Sequence, residues 1–127
     1  MFENEKEMNA VFLSMCTLAR EQLLKIDGSQ SFQQCVALVA EQGDPQAFIV
    51  SADTVGEFAA QQCALLSNDM PPVKKIVCMW KSGAIDVPSG AFLKRLCEIH
   101  AQNSGTEILL KGQGDSYNIK TVADIIG

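Results

Sequence analysis

Apolar residues recur at intervals of three and four between Glu5 and Lys25, at Met8, Val11, Phe12, Met15, Leu18 and Ala19. That spacing predicts an amphipathic helix with a single core-facing stripe. "DGSQ" (27–30) interrupts it, and Gly28 suits the turn that closes a helix C-terminus. The period then changes. "FQQCVALVAE" (32–41) and "AFIVSA" (47–52) read as two strands of a hairpin. The link "GDPQ" (43–46) is a turn, because proline presets φ while glycine and aspartate accept the bend.

Helical spacing returns in "TVGEFAAQQCALLSN" (54–68), with Val55, Phe58, Ala59, Gln62, Cys63 and Leu66 near one stripe. The prolines after Met70 end it. "VKKIVCMW" (73–80) predicts a strand, and a helix follows from Ser89 to Gln102. "TEILLKG" (106–112) is the next strand, "QGD" a turn, "SYNIKT" (116–121) a short strand and "VADIIG" a closing helical turn. Strands alternating with helices through the middle predict parallel neighbours joined by right-handed crossovers, with the hairpin as an antiparallel edge. The expected fold class is α/β, a three-layer α/β/α sandwich around a mixed sheet of roughly five strands.

Composition narrows the functional classes. The 127 residues suit one domain (1–127) with one core. No apolar run approaches the ~18 residues that span a bilayer, so no membrane partner is expected. The net charge of −5, with basic pairs only at Lys74-Lys75 and Lys94-Arg95, argues against nucleic acid as a partner. The acidic start "MFENEKEMNA" lacks the layout of a secretory leader. The five cysteines are widely spaced and include no Cys-x-x-Cys pair. A cytoplasmic protein with reduced, buried thiols is therefore expected.

Two corners carry candidate chemistry. Thr54-x-x-Glu57 fits a capping box, in which the threonine caps a helix and the glutamate bonds back to its amide. At "VPSGAFLKRL" (87–96), Ser89 suits a second N-cap, with Gly90 in the turn. Cys97 and His100, the single histidine, stand three apart on the expected helix. Two such groups make at most half a metal site, and a histidine near a helix C-terminus is the ordinary reading.

Read together, four words resemble the cytidine deaminase family over nearly the whole chain: "FQQCVALVAEQG" (32–43), "VGEFAAQQCALLS" (55–67), "VPSGAFLKRLCEI" (87–99) and "GQGDSYNIKTVADII" (112–126). The second resembles the segment written Cys-Ala-Glu or His-Ala-Glu in that family, and the third its Pro-Cys-Gly-x-Cys-Arg segment. Zinc deaminases hold Zn²⁺ with a His or Cys and two further cysteines, and a non-ligand glutamate moves the proton. The metal supplies hydroxide at neutral pH by acidifying its bound water. The resemblance implies that Val55, Ser89 and Phe92 stand at the ligand positions and Glu57 at that of the glutamate. Valine and phenylalanine have no donor atom, and a serine hydroxyl substitutes poorly for thiolate. No cofactor is therefore expected. The family's ribose-holding Asn-x-Glu is not found in "SADTVGE" (51–57), where only Ser51 and Asp53 offer polar contacts.

The leading expectation is a non-catalytic, deaminase-like protein acting through protein contacts, as a homo-dimer or homo-tetramer, since members of the resembled family are homo-oligomers. The alternative is a module that binds a nucleoside, nucleobase or small anion at the helix N-termini near Glu57, Thr54, Ser89 and Gly90. An active cytidine deaminase-type hydrolase is the third reading, and Phe92 is expected to occupy the space a metal would need.

Overall fold

A computed structural model describes residues 2–26, 28, 30–41, 43–112 and 117–126, with side chains described from Ala10 onward. The first helix, α1, spans Phe2–Leu24. Phe12, Met15, Cys16, Ala19 and Leu23 are buried along one stripe, as the spacing predicts. The side chain of Met8, assigned to the same stripe, lies outside the described residues. Tight bonds from Lys25 N to Gln22 O and from Ile26 N to Leu23 O close the helix. Gly28 has a different reason from the one expected. Among the described residues Gly83 is the glycine with positive φ, whereas a Cβ on Gly28 would lie 2.6 Å from Gln33 Nε2. A Cβ there would push aside the ends of the Gln33 and Gln30 side chains, and no left-handed turn is involved.

The hairpin forms as β1 (Phe32–Ala40) and β2 (Gln46–Ala52), antiparallel from Phe32↔Ala52 to Leu38↔Gln46. Next come α2 (Val55–Ala64), β3 (Val73–Trp80), the two-residue β4 (Ile85–Asp86) and α3 (Gly90–Ile99). A 3₁₀ turn (Ala101–Gly105) leads into β5 (Glu107–Lys111), β6 (Tyr117–Thr121) and α4 (Val122–Ile126). The expected "QGD" turn falls on residues 113–115, outside the described residues.

The strand order is β2-β1-β3-β5-β6, with β4 beside β3. β1 pairs antiparallel with both β2 and β3, so the expectation of parallel neighbours through the middle holds only for β3 and β5. The crossover through α2 passes over β1. β1 is buried continuously from Gln33 to Leu38, and such a strand belongs inside a sheet, while β2 takes the edge.

The alternation of side chains divides the core into two layers. Val36, Leu38, Ile76, Cys78 and Ile108 face α2, α3 and α4, where Phe58, Phe92, Leu93, Leu96 and Val122 meet them. Cys35, Ala37, Val77, Met79 and Leu109 face α1. Burying each large aliphatic or aromatic side chain contributes about 1.5–3 kcal/mol, so both layers stabilise the sheet.

The C-terminal end of α3 is tied down by a buried amide. Asn103 Oδ1 accepts from Val73 N at 2.9 Å, and Asn103 Nδ2 donates to Leu96 O at 2.8 Å. Thr106 Oγ1 donates to Val73 O at 2.6 Å. These bonds end α3 at Ile99, three residues short of the expected Gln102. His100 is extended (φ −144°, ψ 129°), and its Nε2 lies 2.9 Å from Met70 O. Cys97 and His100 therefore do not share a helix face.

Candidate functional site

The residues of interest stand at two helix N-termini, those of α2 and α3. Thr54 is extended (φ −127°, ψ 158°), which frees its hydroxyl to accept from Glu57 N at 3.1 Å. The reciprocal bond from Thr54 N to the Glu57 carboxylate is not formed among the described residues, so half of the capping box is present. Glu57 keeps its carboxylate at the exposed mouth of the helix. Val55 does not join the buried stripe of α2. It is 67% exposed, whereas Phe58, Gln62 and Leu66, four residues apart, face the core. The first turn of α2 precedes the part of the helix that lies on the sheet.

Ser89 caps α3 from an extended conformation (φ −61°, ψ 153°), and its Oγ accepts from Phe92 N at 3.3 Å. Phe92, at the third helical position, is fully buried among the core residues beneath α2 and α3. Gly90 would meet nothing within 4 Å if it carried a Cβ, so no steric need for glycine acts there.

Beneath the α3 N-terminus, a buried amide relay ties it to the last turn of α2 and to β1. Ser89 N donates to Gln62 Oε1 at 3.0 Å, and Gln62 Nε2 donates to Gln34 Oε1 at 2.7 Å. A backbone N–H can only donate, so it orients the Gln62 amide, which in turn orients that of Gln34. The relay ends at Gln34 Nε2, which is buried without a hydrogen-bond partner. Beside it, Phe32, Phe58 and Trp80 pack ring against ring, with Phe58 and Trp80 stacked 5.1 Å apart. Trp80 Nε1 donates to Asp86 Oδ2 at 3.0 Å, which holds the indole in place.

Gln34, Gln62, Phe58 and Trp80 escaped assignment to the site from sequence. The available signals were a glutamine on the apolar stripe of α2 and another inside an apolar strand. Ser51 and Asp53 contribute nothing to the relay: Ser51 N is bonded to Gln61 Oε1 at 3.2 Å on the β2 edge, and Asp53 is exposed.

The donor set decides what the corner can hold. The three positions that the resemblance matches to zinc ligands offer one hydroxyl, already accepting from Phe92 N. Among the described residues no three His, Cys, Asp or Glu side chains lie together as a metal site requires. Zinc sites use thiolate, imidazole or carboxylate, so these residues do not fit the metal. Of the free cysteines, Cys16, Cys35 and Cys78 are buried, while Cys63 and Cys97 are half-buried instead of lying in the core. Burial pushes the Cys78 thiol far above its ordinary range, and pushes Cys63 up against the opposing pull of Arg95. Four surface hollows of about 170 to 460 Å³ are lined without Thr54, Val55, Glu57, Ser89, Gly90 or Phe92.

No helix among the described residues is long and apolar enough to cross a membrane. No family model and no curated protein matches the chain. Among solved structures it is similar to a single-site mutant of cytidine deaminase from Mycobacterium tuberculosis, with 16% identity and a TM-score of 0.61, covering 90% of this chain and 93% of that one. The α1 layer, the mixed sheet and the opposite layer of α2, α3 and α4 together form a cytidine deaminase-like fold.

Proposed function

We propose that this chain is a non-catalytic protein of the deaminase fold that acts through contacts with other protein chains, a second copy of itself first. One observation carries the reading: at the α2 and α3 N-termini, the matched positions hold an exposed valine, a capping serine and a buried phenylalanine. Deamination of this type needs a metal-activated hydroxide, and these side chains supply no ligand set for it. Glu57 has no such water to act on and serves at the helix mouth. The test is the zinc content of the purified chain together with ammonia release from cytidine. Both are expected to be null. Stoichiometric zinc in the natural chain, with ammonia released, sinks the reading.

A second reading draws on Gln34 Nε2, a buried donor without a partner beneath the α3 N-terminus. An acceptor-rich ligand such as a nucleobase, nucleoside or small anion suits donors of that kind. A thermal-shift series with cytidine, uridine, free bases and phosphate separates the two. A ligand at a hundred times its dissociation constant stabilises by about 2.7 kcal/mol, and a flat response across the series discards the binding module.

A further inference from the structure

The sheet ends in two edges that meet solvent differently. β6, five residues long, carries Lys120, the kind of charge that discourages pairing at an edge. β2, Gln46–Ala52, runs seven residues without a charge, a proline or a glycine, and its register with β1 is unbroken. Two exposed aspartates stand just outside it, Asp44 before and Asp53 after.

The direction of its main chain follows from the sheet. Gln33 O accepts from Lys81 N on the β3 side of β1, so Gln34, Val36 and Leu38 turn their peptide groups toward β2. Their partners there are Val50, Phe48 and Gln46. Ala47, Ile49 and Ser51 therefore aim N–H and C=O away from β1. Ser51 N already donates to Gln61 Oε1 at 3.2 Å, a side chain reaching across from α2. The outward groups of Ala47 and Ile49 bond to nothing among the described residues.

A hollow of about 170 Å³ lies beside this edge. Gln46 and Phe48 of β2 border it together with Leu38, Leu65, Met70 and Val73, on the sheet face that packs against α2. An apolar cavity of ~150 Å³ accepts benzene, so the hollow has room for one bulky apolar side chain. Among the described residues Asp44 is its one charged lining residue. A strand laid beside β2 sets alternate side chains next to Gln46 and Phe48 on this face. A bulky side chain there enters the hollow, and a basic neighbour reaches Asp44.

We propose that the β2 edge takes up an extended segment of another protein as an added strand, with an aliphatic side chain in the hollow and a lysine or arginine against Asp44. This rests on the protein-contact reading above and gives it a surface and a kind of partner. The test titrates three capped synthetic peptides, KTLTVTK, KTSTVTK and ETLTVTE, into the isotope-labelled chain and follows its amide resonances. KTLTVTK is expected to give saturable shifts at Ala47 and Ile49. Serine for leucine leaves the hollow empty, and glutamate for lysine opposes Asp44 and Asp53, so each control should bind at least ~10-fold more weakly. Ile49→Pro removes an outward N–H that β1 does not use. It should stay folded by circular dichroism and bind KTLTVTK at least ~10-fold more weakly, whereas Ile49→Val should match the natural chain. No saturable shift, equal binding of the three peptides, or undiminished binding to a folded Ile49→Pro overturns the docking edge. Shifts at Ala47 and Ile49 that follow protein concentration without peptide put a second copy on the edge and overturn it equally. Each of these outcomes leaves the protein-contact reading standing, since zinc content and ammonia release decide that separately.

Discussion

Both ends of α3 are anchored by a buried side-chain amide, and the two anchors differ in completeness. At the C-terminal end Asn103 and Thr106 bond to Val73 and Leu96, with each side-chain polar atom partnered. At the N-terminal end the relay from Ser89 through Gln62 satisfies both glutamine-62 atoms but leaves the Gln34 NH₂ group without a partner. The first joins helix to strand as pure architecture. The second joins the start of α3 to the last turn of α2 and to β1 through amides, beside the packed rings of Phe32, Phe58 and Trp80. Full satisfaction makes a buried polar group stabilising, and an orphaned donor costs about 1–3 kcal/mol. The C-terminal anchor should therefore be the stiffer and more costly to remove.

Asn103→Ala should have the largest effect. It strands the Val73 N–H and takes one of two donors from Leu96 C=O, which keeps His100 N, for a loss of about 3 kcal/mol in urea unfolding. A loss no larger than that of Gln62→Leu breaks the contrast between the two ends.

Gln62→Leu should cost about 2 kcal/mol, because Ser89 N–H and Gln34 Oε1 lose their partner. Adding Gln34→Leu removes the remaining orphaned amide, so the double variant should be less destabilised than the sum of the singles, with a coupling of about 1 kcal/mol. Strict additivity in the same unfolding measurements would mean that the relay does not act as one unit.

Alkaline titration probes the core that both ends share. Burial raises the Cys35 thiol from 9.0 to about 11, and drives that of Cys78, beneath α3, higher still. The unfolded thiols ionise first, so stability is constant below pH 9.0 and falls as pH rises from there toward about 11. Thermal melts across that range should show the fall, and Cys35→Ala should make it shallower while Cys78 carries the rest.

The caps should give the smallest effects. Ser89→Ala should cost about 1 kcal/mol, and Thr54→Ala, whose cap is exposed, about half as much. Glu57→Gln should stay within ~0.5 kcal/mol in thermal unfolding, as a solvent-exposed substitution does. A larger change at Glu57 would place that carboxylate in an interaction beyond the helix mouth.

Much of the fold was legible in local pattern. Three-and-four spacing placed α1, α2 and α3, the apolar runs placed the strands, and Thr54 and Ser89 announced their caps. The errors arose where one element met another. Val55 lies on the α2 stripe by spacing, yet the helix reaches the sheet only from Phe58 onward. Helical spacing carries α3 to Gln102, yet Asn103, seven residues beyond Leu96, draws its amide to the Leu96 carbonyl and ends the helix at Ile99.

Local pattern set the order of the main helices and strands, without the short β4 or the 3₁₀ turn, and set which atoms stand at the helix mouths. No fold can give Val55 or Phe92 a donor for zinc. Tertiary packing alone sets β1 between β2 and β3, and brings Gln34 to Gln62 across 28 positions and Gln62 to Ser89 across 27. The reason is physical. Periodicity records which way a side chain points from its own element, whereas these meetings depend on strand order, which is set by the burial of the whole sheet at once.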